Sequence, residues 1–276
     1  MTSGNSQQGL PKITLVMPSF NQALYLKSAI ESVLKQNYPN LEFFVLDGGS
    51  NDGTVDIIRQ YEPFITYWRS YPDGGQSAAI SEGFKKSSGE IMGWLNSDDL
   101  LAPGTLLFVG EYFRKHSDID FVVGEECLID EKSRVLRYLD EPYWNLNWQL
   151  YVRNCIPQAA AFWRRSLYQK VEGINSTFQY GMDYDLWFQF LRYTEPQYAK
   201  RLFSFQRLHT LTKTSTMRDI AVVEKSLIAK KYVASFRPES RLLKIFWRLH
   251  RITMKMFYGS YLRGFFKKIS LSKQPI

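Results

Sequence analysis

The chain has 276 residues, with 35 Lys and Arg against 27 Asp and Glu, so its formal net charge is +8. This length suits one large domain or one domain with an appendage. Apolar residues make up 45% of the chain and aromatic residues 16%, which excludes a chain that is disordered throughout. Two cysteines, Cys127 and Cys155, are too few for a disulfide scaffold or a thiolate zinc cluster, and we predict buried thiols in a reducing compartment.

The positive charge is concentrated at the C-terminal end. From residue 221 onward there are 13 Lys and Arg and 2 Asp and Glu, a net charge of +11. Residues 1–220 therefore keep 22 basic and 25 acidic residues, a net charge of −3. Because the body is acidic and carries no nucleic-acid motif, we expect no nucleic-acid partner. No apolar run is long enough for a membrane span and residues 1–11 lack a signal-peptide core, so we expect a cytoplasmic protein.

Apolar runs and helical periodicities alternate through the first 115 residues. The predicted elements, in chain order, are a strand at 12–19, a helix opening at Asn21 or Gln22, a strand at 41–46, a helix from about 50 to 61, a strand at 65–70, a helix at 76–86 and a strand at 90–95. Such alternation is typical of a parallel sheet with helices on both faces. Ligands bind such sheets at the carboxyl ends of the strands, where three polar clusters stand at 18–22, 47–53 and 96–99. We expect the three clusters to converge.

The pattern after residue 115 is less regular. It predicts strands at 119–123 and 135–138 and helices at 164–171 and 183–193, and mostly helix from residue 221.

Adjacent carboxylates follow the strand at 90–95, at Asp98 and Asp99. Two such groups repel each other unless a cation lies beside them, and a hard divalent cation prefers oxygen ligands. The alternative is that one of them caps a following helix, and the two interpretations are about equally good from these residues alone.

Three longer segments carry a family resemblance. MPSFNQ, QNYPNLEFFVLDGGSNDGT and DGGQSAAISEGFKKSSGEIMGWLNSDD, in this order, resemble the family two glycosyltransferases, which are inverting enzymes with a GT-A fold. The likeness runs from residue 12 to about 215, and the motif sequences are most similar to those of members that build bacterial surface polysaccharides. It implies an α/β, Rossmann-like, mostly parallel sheet flanked by helices. The resemblance divides the body into a nucleotide-sugar-binding half at 12–115 and an acceptor-binding and catalytic-base half at 116–220. Composition and charge predict the two ends, a flexible Ser-, Gln- and Gly-rich arm at 1–11 and a basic amphipathic helical tail at 221–276.

The resemblance also implies roles on the donor side. Pro18, Ser19 and Asn21 would line the base and ribose pocket, Asp47 would bind a uracil ring, and Asp73 would lie near the nucleotide. Asp98 would face the ribose or sugar, and Asp99 would ligate Mn²⁺ or Mg²⁺. Many relatives carry a third Asp where this chain has Asn96.

Further roles follow from the second half of the resemblance. Asp183, in the segment GMDYDLW, would be the catalytic base. His209 would ligate the metal or contact the diphosphate, with Arg207 and Lys213 as diphosphate contacts. Each has an ordinary alternative, because an Asp in a first helical turn is favoured by the helix dipole, a lone His is usually structural and a Lys or Arg is usually solvated.

The acceptor side is less readable. Gln158 and Trp163 are the candidate acceptor-binding residues, although burial in the core is the more common role for a Trp.

The implied function is transfer of a sugar from a nucleotide-sugar, expected to be UDP-linked, to a hydroxyl of a glycan or lipid-linked glycan. The alternative is a sugar-binding or membrane-associated scaffold of the same fold that has lost catalysis, which Met182 and Asn96 favour because many relatives have acids there.

The basic tail contains a charged stripe. Its five cations recur at helical spacings of 3, 4, 3 and 4, at Arg241, Lys244, Arg248, Arg251 and Lys255. The stripe suits an anionic membrane surface, which predicts peripheral binding to the cytoplasmic face of the plasma membrane. It equally suits a helix packed on the body with a solvated charged face.

Overall fold

The structure, a computed structural model, describes residues 9–141, 144–210, 212–236 and 241–272. Within these residues nine strands form one sheet: β1 Ile13–Ser19, β2 Leu41–Asp47, β3 Tyr67–Ser70, β4 Ile91–Trp94, β5 Leu100–Leu101, β6 Phe121–Asp130, β7 Val135–Leu139, β8 Ala161–Arg164 and β9 Gln197–Leu208. The helices are α1 Ala23–Leu34, α2 Thr54–Tyr61, α3 Gln76–Lys86, α4 Thr105–Lys115, α5 Leu146–Tyr151, α6 Arg165–Tyr168, α7 Met182–Phe190, α8 Lys213–Thr216, α9 Arg218–Phe236, α10 Arg241–Phe257 and α11 Ser260–Leu271. Short 3₁₀ turns lie at Glu62–Phe64 and Gln158–Ala160.

The first four long strands pair in parallel, in the order β3-β2-β1-β4. Every residue of β1 is buried, as expected for an apolar strand covered by helices on both sides. The register places Ser19 opposite Asp47 and Asp47 opposite Ser70, so the polar residues that end these strands lie at one edge of the sheet. The sequence prediction of these strands and of the helices between them is confirmed.

The second half of the sheet is mixed. β8 pairs antiparallel with β4 and β6, β5 pairs antiparallel with β9, and β6 pairs parallel with β9. The sequence pattern did not predict β5, β8 or β9. In β9, buried Phe203 and Phe205 follow exposed Lys200 and Arg201, which hides the strand in a window of mixed polarity.

The predicted helix at 164–171 is shorter than expected. Only Arg165–Tyr168 is helical, and the residues before it form β8. Phe162 and Trp163 are drawn into the core between β4 and β6, and this tertiary packing decides the strand.

The C-terminal helices begin before the expected boundary at residue 220, because α9 starts at Arg218. α9 packs on α7, α10 on α5 and α11 on β7. At the other end of the chain, residues 1–8 of the predicted flexible arm lie outside the described residues, while Leu10 is buried and the Pro11 carbonyl accepts a hydrogen bond from Tyr38. Both cysteines are buried free thiols, and burial raises the pKa of Cys127 to about 12 and of Cys155 to about 11.

Candidate active site

A large cleft, with a volume of about 1270 Å³, opens at the carboxyl ends of the parallel strands. All three polar clusters predicted to converge contribute to its wall. Pro18 and Ser19 line it from the end of β1, Gly48 and Gly49 from the end of β2, and Asn96 to Asp99 from the end of β4. The expected convergence is therefore confirmed.

The carboxylates of Asp98 and Asp99 both line this cleft. Asp99 is 3% exposed, and its Oδ1 accepts a hydrogen bond of 2.8 Å from the Arg207 backbone N–H. Burial and the neighbouring charge of Asp98 raise the pKa of Asp99 well above its usual value. A cation bound beside the pair would therefore offset the repulsion between the two carboxylates.

Three side chains hold the Asp pair in position. The Asn96 amide donates to Asp99 Oδ2 over 3.1 Å and accepts from the Gln76 side chain over 2.6 Å. His209 Nε2 lies 3.1 Å from Asp98 Oδ2. An amide at position 96 can donate to Asp99, which a third carboxylate could do only in its protonated form.

Arg207 is 2% exposed and is engaged with the protein itself. Its guanidinium donates to the backbone carbonyls of Asp98, Asp130 and Glu131 and to the Ser133 hydroxyl. The structure therefore gives this side chain a role in fixing the turn between β6 and β7 beside the Asp pair.

His209 does not line the cleft. Its side chain is 3% exposed and packs against the ring of Tyr25, with 4.6 Å between ring centroids. His209 therefore lies outside the cleft lining and orients the Asp98 carboxylate through its Nε2 contact.

Asp183 lies in the first turn of α7 and faces the cleft. Its Oδ2 accepts from the Asn154 side chain over 2.8 Å, and its Oδ1 accepts from the Tyr184 backbone N–H over 2.7 Å. Removal from water outweighs these hydrogen bonds and the charge of Lys225, and it raises the pKa of Asp183 to about 6. A carboxylate with this pKa is a stronger base than an exposed one.

The loop before Asp183 is held by α9. The carboxylate of Glu224 is buried and accepts backbone hydrogen bonds from Gln179, Tyr180 and Gly181 at 2.8, 2.9 and 2.7 Å. Lys213 lines the cleft and donates to the Gln179 carbonyl over 2.7 Å. Part of the predicted basic tail is therefore built into the wall of the site.

Several further charged residues of the cleft wall were not predicted from the sequence, among them Glu126, Glu141 and Arg153. Burial raises the pKa of Glu126 to about 7, and the charge of Asp183 adds to this shift. The local sequence did not indicate these residues, because Glu126 reaches the cleft through the pairing of β6 with β9, and Glu141 and Arg153 lie on the segments that follow β7 and α5.

Two donor-side residues lie beside the cleft instead of lining it. Asp47 is fully buried and accepts hydrogen bonds from the Gly49 and Ser50 backbones and from the Ser50 and Ser70 hydroxyls. Asn21 has a φ of 51° and accepts from the Asn51 backbone N–H. Both therefore shape the loops that follow β1 and β2 at this end of the cleft.

Asp73 does line the cleft, where its Oδ2 lies 2.8 Å from Arg69 Nη2.

The two acceptor-side candidates are separated by the fold. Gln158 lines the cleft and donates to the Trp94 carbonyl over 2.7 Å. Trp163 is completely buried, packs edge-on against Trp94 and Trp187, and does not line the cleft.

The sheet, parallel in its first half, mixed in its second and flanked by helices, with a cleft at the carboxyl ends of its parallel strands, places the chain in the class of GT-A-like α/β folds. The profile described as glycosyl transferase family 2 matches residues 14–170. An uncharacterised glycosyltransferase of Rickettsia typhi is 31% identical over 214 residues, which covers 75% of this chain and 67% of that protein. The chain belongs to glycosyl transferase family 2.

Solved structures share the fold at lower identity. A structure of S. aureus TarS in complex with UDP-GlcNAc superposes with a TM-score of 0.62 at 16% identity and covers 82% of this chain and 73% of that one. The mannosyltransferase PcManGT of Pyrobaculum calidifontis, in complex with GDP-Man and Mn²⁺, gives a TM-score of 0.56 at 14% identity, covering 92% and 84% of the two chains.

The residues of the site fit a divalent cation. Among the described residues, no group of three or more His, Cys, Asp or Glu is arranged to hold a metal ion. However, Mg²⁺ and Mn²⁺ are commonly held by one or two carboxylates together with waters and substrate phosphates. Asp98 and Asp99 supply such a donor set at the cleft wall. Burial and the charge of Asp98 raise the pKa of Asp99, so a cation bound beside the pair would favour its ionised form.

Proposed function

We propose that this protein transfers a sugar from a nucleotide-sugar, of which a UDP-sugar is the leading candidate, to an acceptor hydroxyl with inversion at the anomeric carbon. The observation that carries the proposal is that one cleft contains both a pair of adjacent carboxylates and a separate single carboxylate. Asp98 and Asp99 lie at the end of β4, and Asp183 lies across from them at the start of α7. Family membership and the UDP-GlcNAc and GDP-Man complexes of similar structures support this reading.

The proposed reaction is one displacement. Asp183 accepts the proton of the acceptor hydroxyl while the oxygen forms a bond to the anomeric carbon, and the bond to the diphosphate oxygen breaks on the opposite face. The nucleoside diphosphate leaves with the bonding electron pair. Asn154 and the Tyr184 N–H hold the carboxylate of Asp183 in place for this proton transfer.

The leaving diphosphate needs its charge neutralised. A Mn²⁺ or Mg²⁺ ion held by Asp98 and Asp99 would supply that electrostatic stabilisation when bound. On the protein side, we propose that Lys213 contacts the diphosphate, while Arg207 and His209 act by fixing the Asp pair. Pro18, Ser19 and Asp73 would line the nucleotide pocket, and Asn21 and Asp47 would act through the loops that they order.

The acceptor would enter beside Gln158, and Trp163 would support that wall from the core. We propose a glycan or lipid-linked glycan acceptor, used in surface polysaccharide synthesis at the cytoplasmic face of the membrane. The non-catalytic scaffold is a weaker candidate, because Asp183 is present with a raised pKa and Asn96 has a positioning role.

The direct test is a donor screen. The protein is incubated with UDP-sugars or GDP-sugars, Mn²⁺ and a polar-lipid extract as the acceptor pool, and nucleoside diphosphate release is measured. We expect release from one donor class that is lost with a chelator. Metal-dependent UDP binding by calorimetry without turnover of any donor would instead support the scaffold.

A further inference from the structure

The C-terminal helices expose an unusual amount of apolar surface. Thirteen of the 23 large apolar side chains exposed within the described residues lie between residues 242 and 269, which is α10, α11 and their connection. On α10 they include Leu242 at 78%, Leu249 at 60% and Phe257 at 80%. On α11 they include Leu262 at 66% and Phe266 at 65%. A contiguous apolar surface of this kind marks an interaction site.

The basic side of α10 faces the opposite way. Arg251 and Lys255 both form ion pairs with Glu141, at 3.4 Å for Lys255, which is only 4% exposed. On α11, Lys267 lies 2.7 Å from Glu125 and Arg263 lies 3.0 Å from Asp140. Two of the five cations of the predicted basic stripe therefore bind the body, and the apolar side of the amphipathic helix is the one turned outward.

The charge of these helices indicates what covers the apolar surface. Neither α10 nor α11 contains an Asp or Glu, and Arg241 and Arg248 are exposed beside the apolar side chains. An anionic lipid surface complements this arrangement, because apolar side chains enter the acyl boundary while cations meet the headgroups. A second copy of the chain would bring a face of the same charge against it.

We propose that the outward apolar faces of α10 and α11 dock this protein on an anionic membrane surface. No helix among the described residues is long and apolar enough to cross a bilayer, so the helices would lie in the plane of the interface. Glu141 lines the cleft and pairs with α10, so one side chain separates the docked helix from the cleft. If the proposed function holds, this arrangement delivers a lipid-linked acceptor to Asp183.

Vesicle flotation of the protein tests the proposal without requiring turnover. We expect flotation with vesicles that contain phosphatidylglycerol and much weaker flotation with phosphatidylcholine alone. Leu249→Glu on α10 and Phe266→Glu on α11 should each weaken binding to the vesicles by about tenfold or more, because each replaces an apolar side chain that would enter the membrane with a charged one.

Phe64→Glu is the matched control, because Phe64 is 64% exposed on the 3₁₀ turn after α2, outside α10 and α11, and this variant should leave flotation unchanged. Thermal melting verifies that all three variants fold. Flotation that ignores both helix variants, or that is absent on both vesicle types, overturns the proposal. A lipid-free dimer that is dissociated by Phe266→Glu, without flotation, overturns it in favour of self-association.

Discussion

Two clusters of buried or half-buried carboxylates differ in how their charge is balanced. Glu125, Asp140 and Glu141 meet cations of α10 and α11 in ion pairs. Among the described residues, Asp99, Glu126 and Asp183 form no ion pair with Lys or Arg, and burial raises the pKa of each of them. The first cluster attaches the C-terminal helices to the body, whereas the second leaves carboxylates available for a cation, a proton or a substrate.

The cluster of Glu125, Asp140 and Glu141, here called the balanced cluster, also explains why the C-terminal helices expose apolar side chains. Because Arg251 and Lys255 of α10 and Arg263 and Lys267 of α11 pair with the body, the apolar side chains of the same helices are left outside. An acidic body thus determines which face of an amphipathic helix becomes its outer surface.

The largest effect on activity is expected at the unbalanced cluster, which consists of Asp99, Glu126 and Asp183. Asp183→Asn should lower turnover by about 10²- to 10⁴-fold, because an amide cannot accept the acceptor proton. Initial rates of nucleoside diphosphate release at saturating donor measure the loss. Asp118→Asn, the same change at an exposed position, is the control and should keep full activity. Full activity of Asp183→Asn would remove Asp183 as the base.

The balanced cluster should respond in stability. Glu141→Gln leaves Arg251 and Lys255 beside a neutral group in a mostly buried position, which should lower the free energy of unfolding by about 3 kcal/mol. Thermal and urea unfolding measure this change.

An exposed pair provides the matched control for that experiment. Glu111 lies 3.5 Å from Lys115 at the surface, and Glu111→Gln should change stability by about 0.5 kcal/mol or less. Equal melting temperatures for the two variants would show that the cluster around Glu141 does not attach the helices.

The smallest effect is a pH dependence. Asp183 acts as a base only when ionised, and its pKa is about 6, so kcat/KM should fall about tenfold per pH unit below this value. Glu126 titrates nearby, at about 7, and Glu126→Gln identifies which group is responsible. The acidic limb near pH 6 should persist in Glu126→Gln. A limb that disappears with Glu126 would assign the titration to that residue.

Much of the donor half was predictable from local pattern. The runs at 12–19, 41–46 and 90–95 are apolar enough to define buried strands, and the polar clusters that follow them must meet at one edge of a parallel sheet. The acceptor half was less predictable. β9 mixes charged and apolar residues, so its sequence shows no clear strand pattern. Trp163 has a side chain that could stack on a sugar ring, but it is buried in the core.

By itself, the sequence determined the α/β class, the Asp98-Asp99 pair and the two-faced character of α10, because these depend on residues close together in the chain. Only the tertiary structure decided which carboxylates stay uncompensated and which face of α10 points outward. Glu141 and Lys255 are 114 residues apart, and their pairing depends on where β7 and α10 come to lie. A helical pattern gives a helix two faces, but the charge of the surface that it packs against selects the one that remains exposed.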